Sequence, residues 1–311
     1  MKPELIQIAP VYALTQAALD RDYTVHRYFD AADKAAVLAK AAQVRVAVTS
    51  GGGAGISAAL MAQMPKLELV ACFSVGVDAV DLPAARARNI AVTNTPDVLT
   101  DDVADLAIGL MLATLRRIPQ ADRYVREGKW LKSPMPMHQK VTGRRLGIVG
   151  MGRIGQAIAK RAAAFDMTIA YHGPSKKNVP YRYEPDLVEL ARDVDVLIAA
   201  CPGGAATKGI ISRAVIEALG AKGSFVNIAR GSVVDEPALV EALISGRLGA
   251  AGLDVFADEP RAPAALFTLD NVVLQPHQAS ATHETRAAMG QLVLDNVAAF
   301  FAGKPLVTPI G

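Results

Sequence analysis

What most limits the folds open to this chain is a rhythm. Short apolar runs rich in Val and Ile recur along it, each followed by a longer Ala- and Leu-containing stretch at helical spacing. Runs of that length, regularly interrupted by helices, read as strands of a parallel sheet covered on both faces. The fold class is therefore α/β. A first series of strands is expected at 5–9, 24–28, 44–49, 69–73 and 90–93, with helical stretches such as 33–41 and 56–61 between them, making a small doubly wound sheet. A second series is expected at 146–149, 168–171, 194–200, 225–228, 251–255 and 272–274. Six strands suffice for a complete dinucleotide-binding sheet.

Between the series, residues 101–118 carry the longest helical pattern in the chain. Thr100 is placed to cap it, Asp101 and Asp102 suit the positive end of the helix dipole, and Pro119 is expected to stop it. Its apolar residues run most of the way round, so more than one face must be covered, which suggests a domain or subunit contact. A last helical pattern, 284–301, ends at Gly303 and is expected to return to the first domain. The 311 residues thus suggest two domains. The expected division is 1–98 with 285–311, and 99–284.

Composition narrows the partners. Lys plus Arg is 33 against 30 for Asp plus Glu, with no run of basic residues, so nothing calls for nucleic acid. Two cysteines, Cys72 and Cys201, are too few and too far apart for a disulfide framework or a zinc site, and no metal is expected. With no leader pattern at the start and no membrane-length apolar stretch, a cytoplasmic location is expected.

The segment 145–165 is an apolar strand, then Gly150-x-Gly152-x-x-Gly155, then an Ala-rich helix. In that context Gly150 permits the tight turn, Gly152 lets a pyrophosphate approach the backbone, and Gly155 lets helix pack on strand. An NAD site would carry an acidic residue after the next strand to bind the ribose 2′-hydroxyl. Here 171–180 reads YHGPSKKNVP and contains no acid. Ser175 and Lys176, with His172 and Lys177 nearby, can instead donate hydrogen bonds to a 2′-phosphate. NADP is the expected cofactor, with NAD as the alternative.

Three later segments place polar residues at the carboxyl ends of expected strands: NIARG around Arg230, DVFADEP around Glu259, and PHQAS around His277. Hydride transfer to a 2-oxo acid needs a fixed cation for the carboxylate and carbonyl oxygen, an acid to protonate the alkoxide, and a carboxylate to orient that acid. Arg230, His277 and Glu259 supply that set. A dinucleotide sensor or binding scaffold is the rival class, and it would have no need of a proton donor.

With these motifs in place, the chain resembles the D-isomer-specific 2-hydroxyacid dehydrogenases, and within them the glyoxylate/hydroxypyruvate (hydroxyphenylpyruvate-type) reductase branch. The resemblance rests on Ser74-Val-Gly-Val-Asp78, VLTDDVADLAIGLML, the Gly150 motif, NIARG, DVFADEP, PHQAS and the closing GKPLVTP. It implies a flavodoxin-like split substrate domain, an inserted Rossmann cofactor domain, and reduction of a small 2-oxo acid. An NAD-dependent D-2-hydroxyacid dehydrogenase of another substrate class is the nearer alternative. The resemblance makes Arg230 the electrophilic residue that binds substrate, His277 the proton donor, and Glu259 its partner. It makes the backbone N–H groups of Val75 and Gly76 the binders of the substrate carboxylate. Besides His172, Ser175 and Lys176, it puts Gly150, Met151, Gly152, Arg153, Ile154, Gly155, Cys201, Pro202, Thr207, Ile228, Ala229, Arg230, Asp254, His277 and Ala279 at the cofactor. It also implies a homodimer joined through the cofactor domains. Two departures stand out: Pro174 occupies a place where NADP-preferring relatives often have Arg, and Ala279 replaces a frequent Gly.

Overall fold

The computed structural model describes residues 2–310. The chain forms two compact units, one from Met1–Leu99 with Ala281–Gly311, the other from Thr100–Ser280. The second crossing thus precedes the expected one after residue 284. The reason is local: Thr282 caps the C-terminal helix His283–Phe301 by accepting the Thr285 N–H, so cap and helix stay together in the first unit.

In the first unit, β1 (Glu4–Gln7), α1 (Ala13–Asp22), β2 (Thr24–Arg27), α2 (Lys34–Lys40), β3 (Val46–Thr49), α3 (Ala58–Ala62), β4 (Leu69–Cys72), α4 (Leu82–Ala87) and β5 (Ala91–Thr93) alternate as expected. All strands pair in parallel in the order β2-β1-β3-β4-β5, the flavodoxin-like arrangement. Strands β3 and β4 are buried at every position, which is why they read as apolar runs, broken only by Thr49 at the end of β3. The C-terminal helix packs on α1 and β4, and Gly290 lets it lie against Thr15.

The second unit opens with α5 (Thr100–Arg116) and α6 (Ile118–Arg126). Pro119 does not end α5. Arg117 adopts a left-handed conformation (φ 48°) and breaks the chain there, and Pro119 falls in the first turn of α6, where its missing N–H is harmless. The remaining elements are β6 (Arg145–Val149), α7 (Arg153–Ala163), β7 (Thr168–His172), β8 (Arg182–Tyr183), α8 (Leu187–Asp193), β9 (Val196–Ala199), α9 (Arg213–Leu219), β10 (Ser224–Asn227), α10 (Glu236–Ile244), β11 (Ala250–Leu253) and β12 (Val272–Leu274). The parallel sheet runs β12-β11-β10-β9-β6-β7-β8, a doubly wound order centred on β6. The seventh strand, β8, was not expected. It is two residues long and lies between Pro180 and Pro185, too short for any periodicity to show.

Helix α5 does bury more than one face, but inside its own unit. Val103, Ala107, Leu110, Met111 and Leu115 are buried, and the helix packs on α7, β10 and β11. Arg161 of α7 ties it down through Asp101 (2.9 Å) and Asp105 (2.5 Å). Contacts inside the unit thus cover much of its apolar circumference. Among the described residues, no helix is long and apolar enough to cross a membrane.

Candidate active site

In the second unit the strand ends gather the expected chemistry along one sheet edge. Gly150 ends β6 with φ +102°, and a Cβ there would lie 2.7 Å from the Cys201 backbone. A Cβ on Gly155 would lie 2.1 Å from the Gly150 carbonyl oxygen, so helix α7 and strand β6 touch directly. At Gly152, the residue before α7, a Cβ would meet no atom within 4 Å. Turn, close packing and open backbone are thus each met by a glycine, which fits a pyrophosphate seated at the α7 N-terminus. Met151 is buried, Arg153 exposed and Ile154 intermediate. Thr207 donates its hydroxyl to the Pro202 carbonyl (2.6 Å) and closes the loop after β9, where burial pushes the Cys201 thiol up to about 11.

Beyond β7, Ser175 and Lys176 are exposed. His172 is half-buried, with Nδ1 3.1 Å from the Glu184 carbonyl. If Nδ1–H donates there, Nε2 can also donate only when the ring is protonated. That narrows the expected role of His172 towards a 2′-phosphate.

The catalytic candidates are held by a buried frame. Asn227, 1% exposed, accepts the Ala229 N–H with Oδ1 (3.0 Å) and donates Nδ2 to the Arg230 carbonyl (2.9 Å), which fixes the backbone of Ile228, Ala229 and Arg230. Asp254 is fully buried. Its carbonyl accepts the His277 N–H (2.8 Å), and its carboxylate accepts those of Gln278 (2.6 Å) and Ala279 (3.0 Å). Burial raises the Asp254 carboxyl, and the two N–H bonds partly offset that. Asp254, expected at the cofactor, thus sits beneath the His277 loop as its anchor. His277 itself has φ +55°, a left-handed conformation that costs a non-glycine residue about 1 kcal/mol. The Asp254 anchors on both sides of its side chain hold it there.

The outcome is a tight pair, with His277 Nδ1 2.7 Å from Glu259 Oε2 and Oε1 accepting the Phe256 N–H at 3.1 Å. Burial alone would push the Glu259 carboxyl up. The hydrogen bond and charge of His277, the Phe256 N–H and the Arg230 cation outweigh it and hold the carboxyl below its ordinary value. With Nδ1 directed at a carboxylate, Nε2 is left as the working nitrogen of the imidazole.

In the first unit, Val75 and Gly76 lie in the loop after β4, and three of its carbonyls are tied. The Ser74 carbonyl accepts the Thr95 N–H (2.9 Å), the Val75 carbonyl accepts Asn94 Nδ2 (2.9 Å), and the Gly76 carbonyl accepts Ser74 Oγ–H (2.8 Å). In a trans peptide the N–H points opposite to the carbonyl, so the N–H groups of Val75, Gly76 and Val77 are turned away from these anchors. Among the described residues none of the three donates to a protein acceptor. Such a run of amides is able to bind an anion. Ser74 Oγ also accepts the Gly51 N–H (2.8 Å), and Thr308 donates its hydroxyl to the Asn94 carbonyl (2.6 Å). Ser74 and Asn227 were legible only as members of motifs and Asn94 not at all, because their bonds to backbone groups are not written in residue type.

Comparison with known proteins agrees with this geometry. Residues 108–279, more than half of the chain, match the family described as D-isomer specific 2-hydroxyacid dehydrogenase, NAD binding domain. Hydroxyphenylpyruvate reductase of Plectranthus scutellarioides is 50% identical over 307 residues, covering 98% of each chain. Glyoxylate/hydroxypyruvate reductase A HPR2 of Arabidopsis thaliana is 47% identical with the same coverage. The crystal structure of an NADPH-dependent glyoxylate/hydroxypyruvate reductase from Sinorhizobium meliloti, in complex with NADP and malonate, superposes with a TM-score of 0.94 at 43% identity, covering 100% of this chain and 97% of that one. The chain belongs to the D-isomer-specific 2-hydroxyacid dehydrogenases.

Proposed function

We propose that the protein reduces a small 2-oxo acid of the glyoxylate or hydroxypyruvate type to the D-2-hydroxy acid, with NADPH preferred over NADH. The observation that carries this reading is the 2.7 Å Glu259–His277 pair, set on the same sheet edge as Arg230 and the Gly150 turn. NADPH supplies the hydride when bound. The amides of Val75 and Gly76 hold the substrate carboxylate, and Arg230 binds the carboxylate and polarises the carbonyl oxygen. His277 delivers a proton from Nε2 to that oxygen as it becomes an alkoxide, while Glu259 on Nδ1 orients the ring. Ser175 and Lys176 bind the 2′-phosphate.

The test follows NADPH and NADH oxidation with glyoxylate, hydroxypyruvate, pyruvate and 4-hydroxyphenylpyruvate. A higher kcat/KM with NADPH and turnover of at least one 2-oxo acid are expected. Equal use of the two cofactors would sink the NADP assignment, and no turnover would sink the reaction.

The protein works as a homodimer, and the contact expected at 101–118 continues into the chain that follows α5. Ile118, Val125, Trp130, Leu131 (93% exposed) and Met137 (100% exposed) form an apolar segment in the second unit, and a second copy of this segment is its occupant. Light scattering at micromolar concentration should give twice the chain mass, and Leu131→Asp should shift it toward the monomer. A wild-type monomer would refute the assignment. The two buried, unpaired cysteines suit a reducing compartment, and the cytoplasm is the proposed location.

A further inference from the structure

Ser175 and Lys176 sit in an exposed loop with no regular structure. A loop of that kind discriminates poorly unless something fixes it, because ordering a lysine and its backbone costs entropy when the phosphate binds. Two phenols provide the fixing. Tyr171, at the end of β7, is fully buried, and its hydroxyl accepts the Lys177 N–H at 2.6 Å. Tyr183, on the short strand β8, donates its hydroxyl to the Gly173 carbonyl at 3.0 Å. The two residues are paired across the β7–β8 ladder, with ring centroids 5.3 Å apart. One phenol therefore holds the loop where it leaves β7, the other holds it just past Lys176, and the exposed stretch Pro174, Ser175 and Lys176 is the span between the two pins.

We infer that Tyr171 and Tyr183 are positioning residues for cofactor discrimination, their hydroxyls presenting Ser175 and Lys176 to the ribose 2′-phosphate. This also gives strand β8 a purpose: two residues of ladder place the second phenol beside the first. The inference rests on the NADP reading above and deepens it. Removing a hydroxyl leaves the adenine, ribose and pyrophosphate contacts untouched, so the effect should fall on the 2′-phosphate alone.

The experiment measures binding of adenosine 2′,5′-bisphosphate and of 5′-AMP by calorimetry to wild type, Tyr171→Phe, Tyr183→Phe and the double variant. The NADPH to NADH ratio of kcat/KM is measured in parallel. Each Phe variant keeps its ring, and Tyr183, which is only half-buried, provides the safer substitution should the buried site prove sensitive. The bisphosphate-over-AMP preference is expected to fall about 5-fold in each single variant and more in the double. Lys176→Ala should cost less of that preference in the double-Phe background than in wild type, because an unpinned lysine contributes less. A wild-type protein that prefers the bisphosphate, with double-Phe and Lys176→Ala effects that leave the preference unchanged or merely add, would overturn the inference alone. A wild type that binds the two nucleotides equally would overturn the NADP reading and the inference with it.

Discussion

Replacing His277 with alanine should lower kcat by about 10²–10⁴-fold, the usual contribution of a positioned general acid, with little change in NADPH affinity. The His277 imidazole is the proton donor paired with a carboxylate on the edge that carries Arg230. A fluorescence titration with NADPH separates loss of chemistry from loss of binding. Near-wild-type turnover would mean that another group is the acid. The partner can be tested by substitution. His277 and Arg230 hold the Glu259 carboxyl below its ordinary value, so it is a carboxylate at neutral pH. Glu259→Gln keeps a side chain of similar shape but removes the charge set against Nδ1 of the ring. Its kcat should fall by less than in His277→Ala, with NADPH affinity unchanged. Wild-type turnover in Glu259→Gln would separate Glu259 from proton transfer.

The strands were legible because parallel strands buried on both faces are mostly apolar, wholly so in β4 and β9 and with polar residues only at the ends of β3 and β10. Gly150, Gly152 and Gly155 were legible for a related reason, since a steric demand written into three fixed positions survives in any sequence that meets it. What escaped was of two kinds. Pro119 was read as a stop, although the same residue suits the first turn of a helix, and only the left-handed Arg117 decides between the two. The hydrogen bonds that frame the site escaped. Ser74, Asn227 and Tyr171 bond main-chain groups two to six residues away and Asn94 bonds the distant Val75 carbonyl, and none of these bonds follows from residue type and spacing alone. Asp254 shows the same limit from the other side, being visible as a polar strand end while its buried bonds to Gln278 and Ala279 were not.

Substituting alanine at Gly152 and at Gly155 should separate cofactor binding from folding. At Gly155 the new methyl would lie 2.1 Å from the Gly150 carbonyl oxygen, a backbone atom that cannot swing aside. Helix α7 must then move off β6, and Gly155→Ala should lower the stability of the second unit by about 1–3 kcal/mol, the usual range for forcing a methyl group into close packing. At Gly152 the backbone is extended (φ −81°), which alanine tolerates, and no protein atom lies within 4 Å of the added carbon. Gly152→Ala should therefore keep the wild-type Tm to within a degree or two. The methyl occupies the space through which a pyrophosphate approaches the α7 N–H groups, so NADPH affinity should fall by about 100-fold, equivalent to roughly 2.7 kcal/mol. Calorimetric melting and a fluorescence titration on each variant read the two effects separately. A Gly152→Ala protein that binds NADPH as wild type does would show that the pyrophosphate does not pass over this residue. The dinucleotide would then have to be placed elsewhere on the sheet edge.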